Sequence, residues 1–140
     1  MRFFDTSVFV AAFWSGHPDH EASLRVVASA DIETCACSVD SLAEVYATMT
    51  ALPVKDVIPP DQAFLFVEEV RHRCSLVVLD QDEYCSAIER AANAGFTSGR
   101  ICDALLLRCA AKVNADIIYT WNLAHFKATD PTQAHKIRTP

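Results

Sequence analysis

Four residues of this 140-residue chain stand where polar side chains can do chemistry together: Asp5, Glu44, Asp103 and Asn122. Asp5 directly follows the apolar run Arg2-Phe3-Phe4, and Asn122 follows Ile117-Ile118-Tyr119-Thr120 by one residue. Glu44 falls in the first turns of a predicted helix, and Asp103 begins the helix after the loop Phe96-Thr97-Ser98-Gly99-Arg100. Where strands alternate with helices, ligands bind outside the carboxyl ends of the strands, so all four can face one crevice. Oxygen donors with open positions suit Mg²⁺ or Mn²⁺, which keep several waters and bind through a few carboxylates plus substrate phosphate oxygens. The matching reaction is phosphodiester hydrolysis by metal-activated water, with no protein nucleophile.

The same residues also sit where an ordinary helix wants them. Asp5 can be an N-cap. Ser41 and Glu44 spell the S-x-x-E capping box, Asp103 can complement a helix macrodipole, and Asn122 is a common turn residue. The hydroxyls of Thr6, Ser7 and Thr120 flank the acids and can orient them, or they can cap a helix and pack a strand. Spacing alone leaves both readings open. His17 and His20 are three residues apart at a helix start but have no further His or Cys nearby, and Cys35 and Cys37 read as core packing. Trp121 reads as packing, although its place beside Asn122 also permits base stacking.

The elements that must position these residues follow from apolar spacing. Strands are expected over 2–5, 33–39, 76–79 and 117–120, with an edge strand over 136–139. Helices are expected over 6–14, 18–30, 40–52, 60–73, 82–94 and 101–114, with a short turn or helix after 122. Leu24, Val26 and Val27 mark the apolar side of the second helix, and Phe64, Leu65, Val67 and Val70 are the apolar residues of the fourth. Pro53 stops one helix, 53–60 is a loop, and Gly95 closes another helix. Short apolar strands separated by helices of this length imply a central, mostly parallel sheet in a three-layer α/β/α domain, with 1–140 forming one domain.

Composition narrows the function classes. Apolar residues are 51% of the chain and charged ones 21%, which excludes disordered and collagen-like classes. A formal charge of −6 argues against holding nucleic acid by bulk electrostatics, although bound divalent cations would offset converging carboxylates. With no apolar run near membrane-spanning length and an acid at position 5, the chain reads as cytoplasmic, with no membrane partner and six reduced, mostly buried cysteines.

Four segments in order carry a resemblance. They are Phe4-Asp5-Thr6-Ser7-Val8-Phe9-Val10-Ala11-Ala12, Ser41-Leu42-Ala43-Glu44-Val45-Tyr46, Gly99-Arg100-Ile101-Cys102-Asp103-Ala104-Leu105-Leu106, and Ala115-Asp116-Ile117-Ile118-Tyr119-Thr120-Trp121-Asn122 with Phe126. Together they resemble the PIN-domain nucleases, and among them the VapC-type toxins of bacterial toxin–antitoxin pairs. The resemblance implies a PIN-like fold and a Mg²⁺-dependent endoribonuclease, with Mn²⁺ able to substitute, that leaves 5′-phosphate and 3′-hydroxyl ends. It puts the metal-binding acids on Asp5, Glu44 and Asp103 and the fourth catalytic position on Asn122, where the family often has Asp and this chain has one charge fewer. Ser7 resembles an orienting position, with Thr6 and Thr120 beside it, and Asp116 is expected to start a strand. Arg100 and Lys127 are candidate RNA-phosphate contacts, while the tail 127–140 reads as a solvated edge in preference to a further RNA contact. The resemblance also implies an RNA substrate, a VapB-type antitoxin and a homodimer.

Other classes fit less well. A haloacid-dehalogenase-type phosphatase needs a second acid where Ser7 stands, and a receiver domain wants paired acids after its first strand, where only Asp5 is present. A PIN-like module that binds without cutting, and a PIN nuclease that is not a toxin, are the remaining alternatives.

Overall fold

Five short strands, each bounded by helices, make one sheet in which every pairing is parallel. A computed structural model describes residues 1–55 and 57–140; Asp56, inside the loop expected over 53–60, lies outside them. In chain order the elements are β1 (Arg2–Phe4), α1 (Thr6–Phe13), α2 (His20–Ala28), β2 (Cys35–Ser38), α3 (Asp40–Thr50) and α4 (Pro60–Arg73). They continue with β3 (Ser75–Val77), α5 (Gln81–Asn93), α6 (Arg100–Lys112), β4 (Ile117–Tyr119), α7 (Leu123–Thr129), a 3₁₀ turn (Pro131–Gln133) and β5 (Ile137–Arg138).

The strand order is β3-β2-β1-β4-β5. From β1 the chain builds outward to β2 and β3, then returns to the other side of β1 with β4. The order therefore reverses at β1, and a crevice opens at the carboxyl ends of β1 and β4. Arg2, Phe3 and Phe4 pair with Ile117, Ile118 and Tyr119, and the Asp5 N–H continues the ladder to the Tyr119 carbonyl at 2.9 Å.

Alternation along the strands divides the core into two layers. Phe4, Cys35 and Cys37 pack with Val8, Phe9, Val45, Met49 and Val70 on one face of the sheet. Phe3, Ala36 and Ile118 pack with Leu106, Leu107 and Phe126 on the other. This is the expected α/β/α arrangement. Asp80 and Glu83 form a reciprocal capping box on α5, and Gly95 follows that helix with φ +72°, a left-handed conformation that glycine adopts without penalty.

Some details differ from the sequence expectation. The third strand lies at Ser75–Val77 rather than 76–79, because the backbone leaves the ladder after Val77 to reach the Asp80 cap. Leu24 is exposed while Val27 is buried, so the inward side of α2 is narrower than its apolar residues suggest. On α4, Val67 and Val70 are buried, whereas Phe64 and Leu65 are more than half exposed. All six cysteines are free, but Cys85 and Cys102 are exposed.

These differences set a test. Phe3→Ala removes a fully buried ring and is expected to cost about 3–5 kcal/mol of unfolding free energy. Leu24→Ser is expected to change stability by no more than about 0.5 kcal/mol. Urea unfolding followed by circular dichroism checks both, and a cost at Leu24 near that at Phe3 would contradict the observed face of α2.

Candidate active site

Asp5 ends the central strand and has 3% of its surface exposed. It occupies the N-cap position of α1, yet its side chain makes no capping hydrogen bond there. Two hydroxyls instead converge on one of its oxygens: Ser7 Oγ donates to Oδ2 at 2.5 Å and Thr120 Oγ1 donates to the same atom at 2.8 Å. Each hydroxyl is itself fixed from behind. The Trp121 N–H donates to Ser7 Oγ at 3.0 Å, and the Asn122 N–H donates to Thr120 Oγ1 at 2.9 Å. The pairing of β1 with β4 brings these groups together, since Asp5 and Thr120 are the next residues beyond the paired Phe4 and Tyr119.

Glu44 reaches the same crevice from α3. The capping-box reading fails here because α3 begins at Asp40 and neither Ser41 nor Glu44 caps it. Thr6 Oγ1 donates to Glu44 Oε2 at 2.6 Å, and the buried Ser41 Oγ lies 3.1 Å from the same Thr6 hydroxyl. Thr6 and Ser7 thus hold different acids from adjacent positions of α1.

Asp103 enters from the first turn of α6. Burial pushes its carboxyl above the usual range, His125 and Arg100 pull it back, and Glu44 pushes it further up. Burial likewise raises Asp5, against the hydroxyl bonds from Ser7 and Thr120, and the Asp103 charge adds to the rise. Glu44 is raised by burial first, lowered by the Thr6 bond, and raised again by Asp5 and Asp40. Three carboxyls from three elements therefore feel one another.

Asn122 lies at the N-cap position of α7, exposed, and its side chain makes no capping bond. Arg100 is already engaged: its guanidinium stacks 3.9 Å over the Phe96 ring and donates to the Ala128 carbonyl at 3.2 Å. Lys127 is exposed on α7. His17 and His20 do not form a site, since His17 Nδ1 accepts the Asp19 N–H and His20 Nδ1 lies 3.0 Å from the Ala11 carbonyl. Trp121 packs against the core and donates from Nε1 to Ser23. Asp116 pairs with the Met1 amine at 2.6 Å, at the amino end of β4.

Sequence reasoning did not place His125, Asp40 or Ser41 at this site, and it read Ser41 only as part of a capping box. His125 is three residues after Asn122 on α7, a spacing that puts both on one side of a helix and that could have flagged it. Asp40 is four residues before Glu44 on α3, and the same rule applies.

The donor set is oxygen-rich and anionic, the chemistry that hard divalent cations take. No three His, Cys, Asp or Glu side chains among the described residues converge closely enough to ligate one ion together. Mg²⁺ binds through one or two carboxylates and keeps several waters, so it does not require three acids to ligate it together. The raised pKa values point the same way, because a cation would relieve the repulsion that helps raise them.

Because all three carboxyls are raised, the folded chain binds protons at these sites that the unfolded chain has released, and their contribution to stability is greatest below about pH 4 and falls as pH rises through the raised values. Asp5→Asn keeps the shape and removes the buried charge. In EDTA at pH 7 it is expected to raise Tm by a few degrees, the shift about 1 kcal/mol gives at this chain length. The gain should shrink toward pH 4, as thermal melts across pH will check; a lower Tm at pH 7 would contradict the assignment.

Several solved VapC and VapBC structures share this fold. VapC20 of Mycobacterium tuberculosis, described as a sarcin–ricin loop cleaving toxin, superposes with a TM-score of 0.73 at 17% identity, covering 91% of this chain and 95% of that one. VapBC-1 from nontypeable Haemophilus influenzae gives 0.64 at 17% identity over 99% and 96%. VapBC2 from Rickettsia felis, bound to a promoter DNA fragment, gives 0.61 at 20% identity over 92% of each chain. At these identities the likeness is one of fold. No curated protein matches the sequence. The family model for the PIN domain matches residues 2–130, and the chain therefore belongs to the PIN-domain family.

Proposed function

We propose that this chain is a Mg²⁺- or Mn²⁺-dependent endoribonuclease and the toxin of a toxin–antitoxin pair. The observation that carries this reading is the buried Asp5 carboxylate, oriented by Ser7 and Thr120, with Glu44 and Asp103 near enough to raise its pKa or one another's. The fold shared with VapC toxins and the family match support it. Residues 1–140 act as one PIN-like domain, since β5 lies beyond the family match yet pairs with β4 in the same sheet.

Asp5 and Asp103 would hold the ion, with Glu44 beside them directly or through water. When bound, a divalent ion lowers the pKa of its water and polarises the phosphoryl oxygen. Ser7 and Thr120 keep the Asp5 carboxylate in one orientation and engage only Oδ2, so neither hydroxyl occupies Oδ1. Thr6 does the same for Glu44. Asn122 would present a neutral amide at the crevice, and Arg100 and Lys127 would meet RNA phosphates from its rim. The products would carry 5′-phosphate and 3′-hydroxyl ends.

The same reading gives the chain a VapB-type antitoxin that lays a basic side chain over the acids, a homodimeric assembly and a cytoplasmic location. Toxin–antitoxin complexes among the structural neighbours support the partner. Six free cysteines accord with a reducing compartment, and among the described residues no helix is long and apolar enough to cross a membrane.

Purified chain incubated with a panel of structured RNAs in Mg²⁺ or Mn²⁺ is expected to cut at least one, and EDTA to stop it. Asp5→Asn and Asp103→Asn should each reduce the rate by a factor on the order of 10²–10³, the loss of several kcal/mol of transition-state stabilisation. Cutting that survives both variants would overturn the assignment. Folded protein that binds RNA but cuts none of the panel would favour the non-catalytic module.

Thr120 separates orientation from packing. Thr120→Val keeps the volume and removes the donor to Asp5, so cleavage should fall about 10–100-fold, while Thr120→Ser should retain most of it. Equal activity in the two variants would show that the hydroxyl serves packing alone.

A further inference from the structure

Three hydroxyls hold the acids of the candidate site, and each has a single proton to donate. Ser7 and Thr120 donate to Asp5, and each accepts a backbone N–H in turn, from Trp121 at 3.0 Å and from Asn122 at 2.9 Å. Thr6 holds Glu44, and among the described residues its second partner is a side chain, the hydroxyl of Ser41.

Which of these two hydroxyls donates to the other follows from distance and chemistry. Thr6 Oγ1 lies 2.6 Å from Glu44 Oε2 and 3.1 Å from Ser41 Oγ. An ionised carboxylate only accepts, so the shorter contact commits the Thr6 proton to Glu44. The longer contact then takes its proton from Ser41. Ser41 has 0% of its surface exposed, so its hydroxyl has to be satisfied inside the protein, and Thr6 is the partner in reach. The order of donation is therefore Ser41 to Thr6 to Glu44.

Helix geometry builds this relay. Ser41 and Glu44 are three residues apart on α3, which sets both on one side of that helix, toward Thr6 of α1. The S-x-x-E spacing that reads as a capping box thus aims both side chains at one hydroxyl. A hydroxyl hydrogen rotates to suit its partners, but an oxygen that also accepts from a fixed donor has fewer directions left for its own proton. Hydrogen bonds in such a chain also polarise and strengthen one another.

We propose that Ser41 is a positioning residue for Glu44 and acts through Thr6. Its consequence for cleavage rests on the nuclease reading above, whereas the orientation of Glu44 does not. Of the three donors behind the hydroxyls, Ser41 is the one supplied by a side chain, so substitution removes it and leaves the backbone as it is.

Nuclear magnetic resonance of the chain in EDTA at pH 7, reading the Glu44 side-chain carboxyl carbon, tests the orientation without metal or RNA. Ser41→Ala is expected to shift that signal, and to have no further effect once Thr6→Val has removed the intermediate hydroxyl. Ser41→Cys keeps the shape with a weaker donor and should behave like Ser41→Ala. Alanine is the better helix former, and circular dichroism confirms that each variant is folded. Calorimetry with Mn²⁺ reads the consequence: Ser41→Ala should weaken binding about 3–10-fold, less than loss of a group bonded directly to a ligand, and lower kcat on RNA by a similar factor with KM unchanged. A Glu44 signal unmoved by Ser41→Ala would overturn the proposal, as would a shift of the same size with and without Thr6→Val. Wild-type behaviour of Ser41→Cys would overturn it too, by assigning Ser41 to packing, and so would Mn²⁺ affinity and kcat both unchanged in Ser41→Ala. If the wild-type chain neither bound Mn²⁺ nor cut RNA while the carboxyl signal responded as expected, the nuclease reading would fall and the orientation of Glu44 by Ser41 would stand.

Discussion

The pairing of β1 with β4 is the constraint on which the candidate site depends. Neither strand is long, and the two are separated by more than a hundred residues of chain, but their register puts Asp5 beside Thr120 with no freedom to slip. A one-residue slip would move Phe3 and Phe4 to opposite faces and expose a fully buried ring from each core layer. The burial of two phenylalanines thus fixes the geometry of a carboxylate that neither of them touches chemically. Core and site are specified by the same few hydrogen bonds.

That dependence explains why the acids tolerate one another. A carboxylate buried as deeply as Asp5 is costly unless hydrogen bonded, and its two hydroxyl bonds offset part of that cost without removing the charge. Asp103 and Glu44 are only half buried and keep access to solvent, so repulsion is spread across a crevice instead of concentrated in a core. Arg100 moderates the field at Asp103 while anchored to Phe96 and the Ala128 carbonyl. The Arg100 charge is thereby fixed in place by its own contacts. Cys102 lies in the same negative field, and partial burial together with the Glu44, Asp103 and Asp40 charges pushes its thiol above the usual range.

Much of this was legible in the sequence, and the failures have physical causes. Strands ending in Asp5 and before Asn122 were readable because apolar runs of three or four residues followed by a polar residue are what a buried parallel strand looks like. Which of two structural roles an acid plays was not readable, because a cap and a ligand occupy the same place at a helix start. Glu44 illustrates the point: its S-x-x-E pattern is a good cap signal, yet the reciprocal capping box in this fold is Asp80 with Glu83, while Glu44 turns to Thr6 across a gap of thirty-eight residues. Local pattern cannot see a partner that distant. Phe64 and Leu65 misled in the opposite sense, since apolar type alone does not say which side of α4 meets the sheet.

The role of Thr120 shows how far the argument from sheet geometry reaches. Its hydroxyl accepts from the Asn122 N–H and donates to Asp5, so the turn that carries Asn122 and the strand that carries Asp5 are joined through one oxygen. The backbone N–H, not the side chain, is what ties Asn122 into the site. An Asp at that position would keep this tether unchanged while adding a fourth negative charge to a crevice whose three acids already have raised pKa values. The neutral amide at 122 therefore leaves the tether in place and spares the protein a further negative charge beside it.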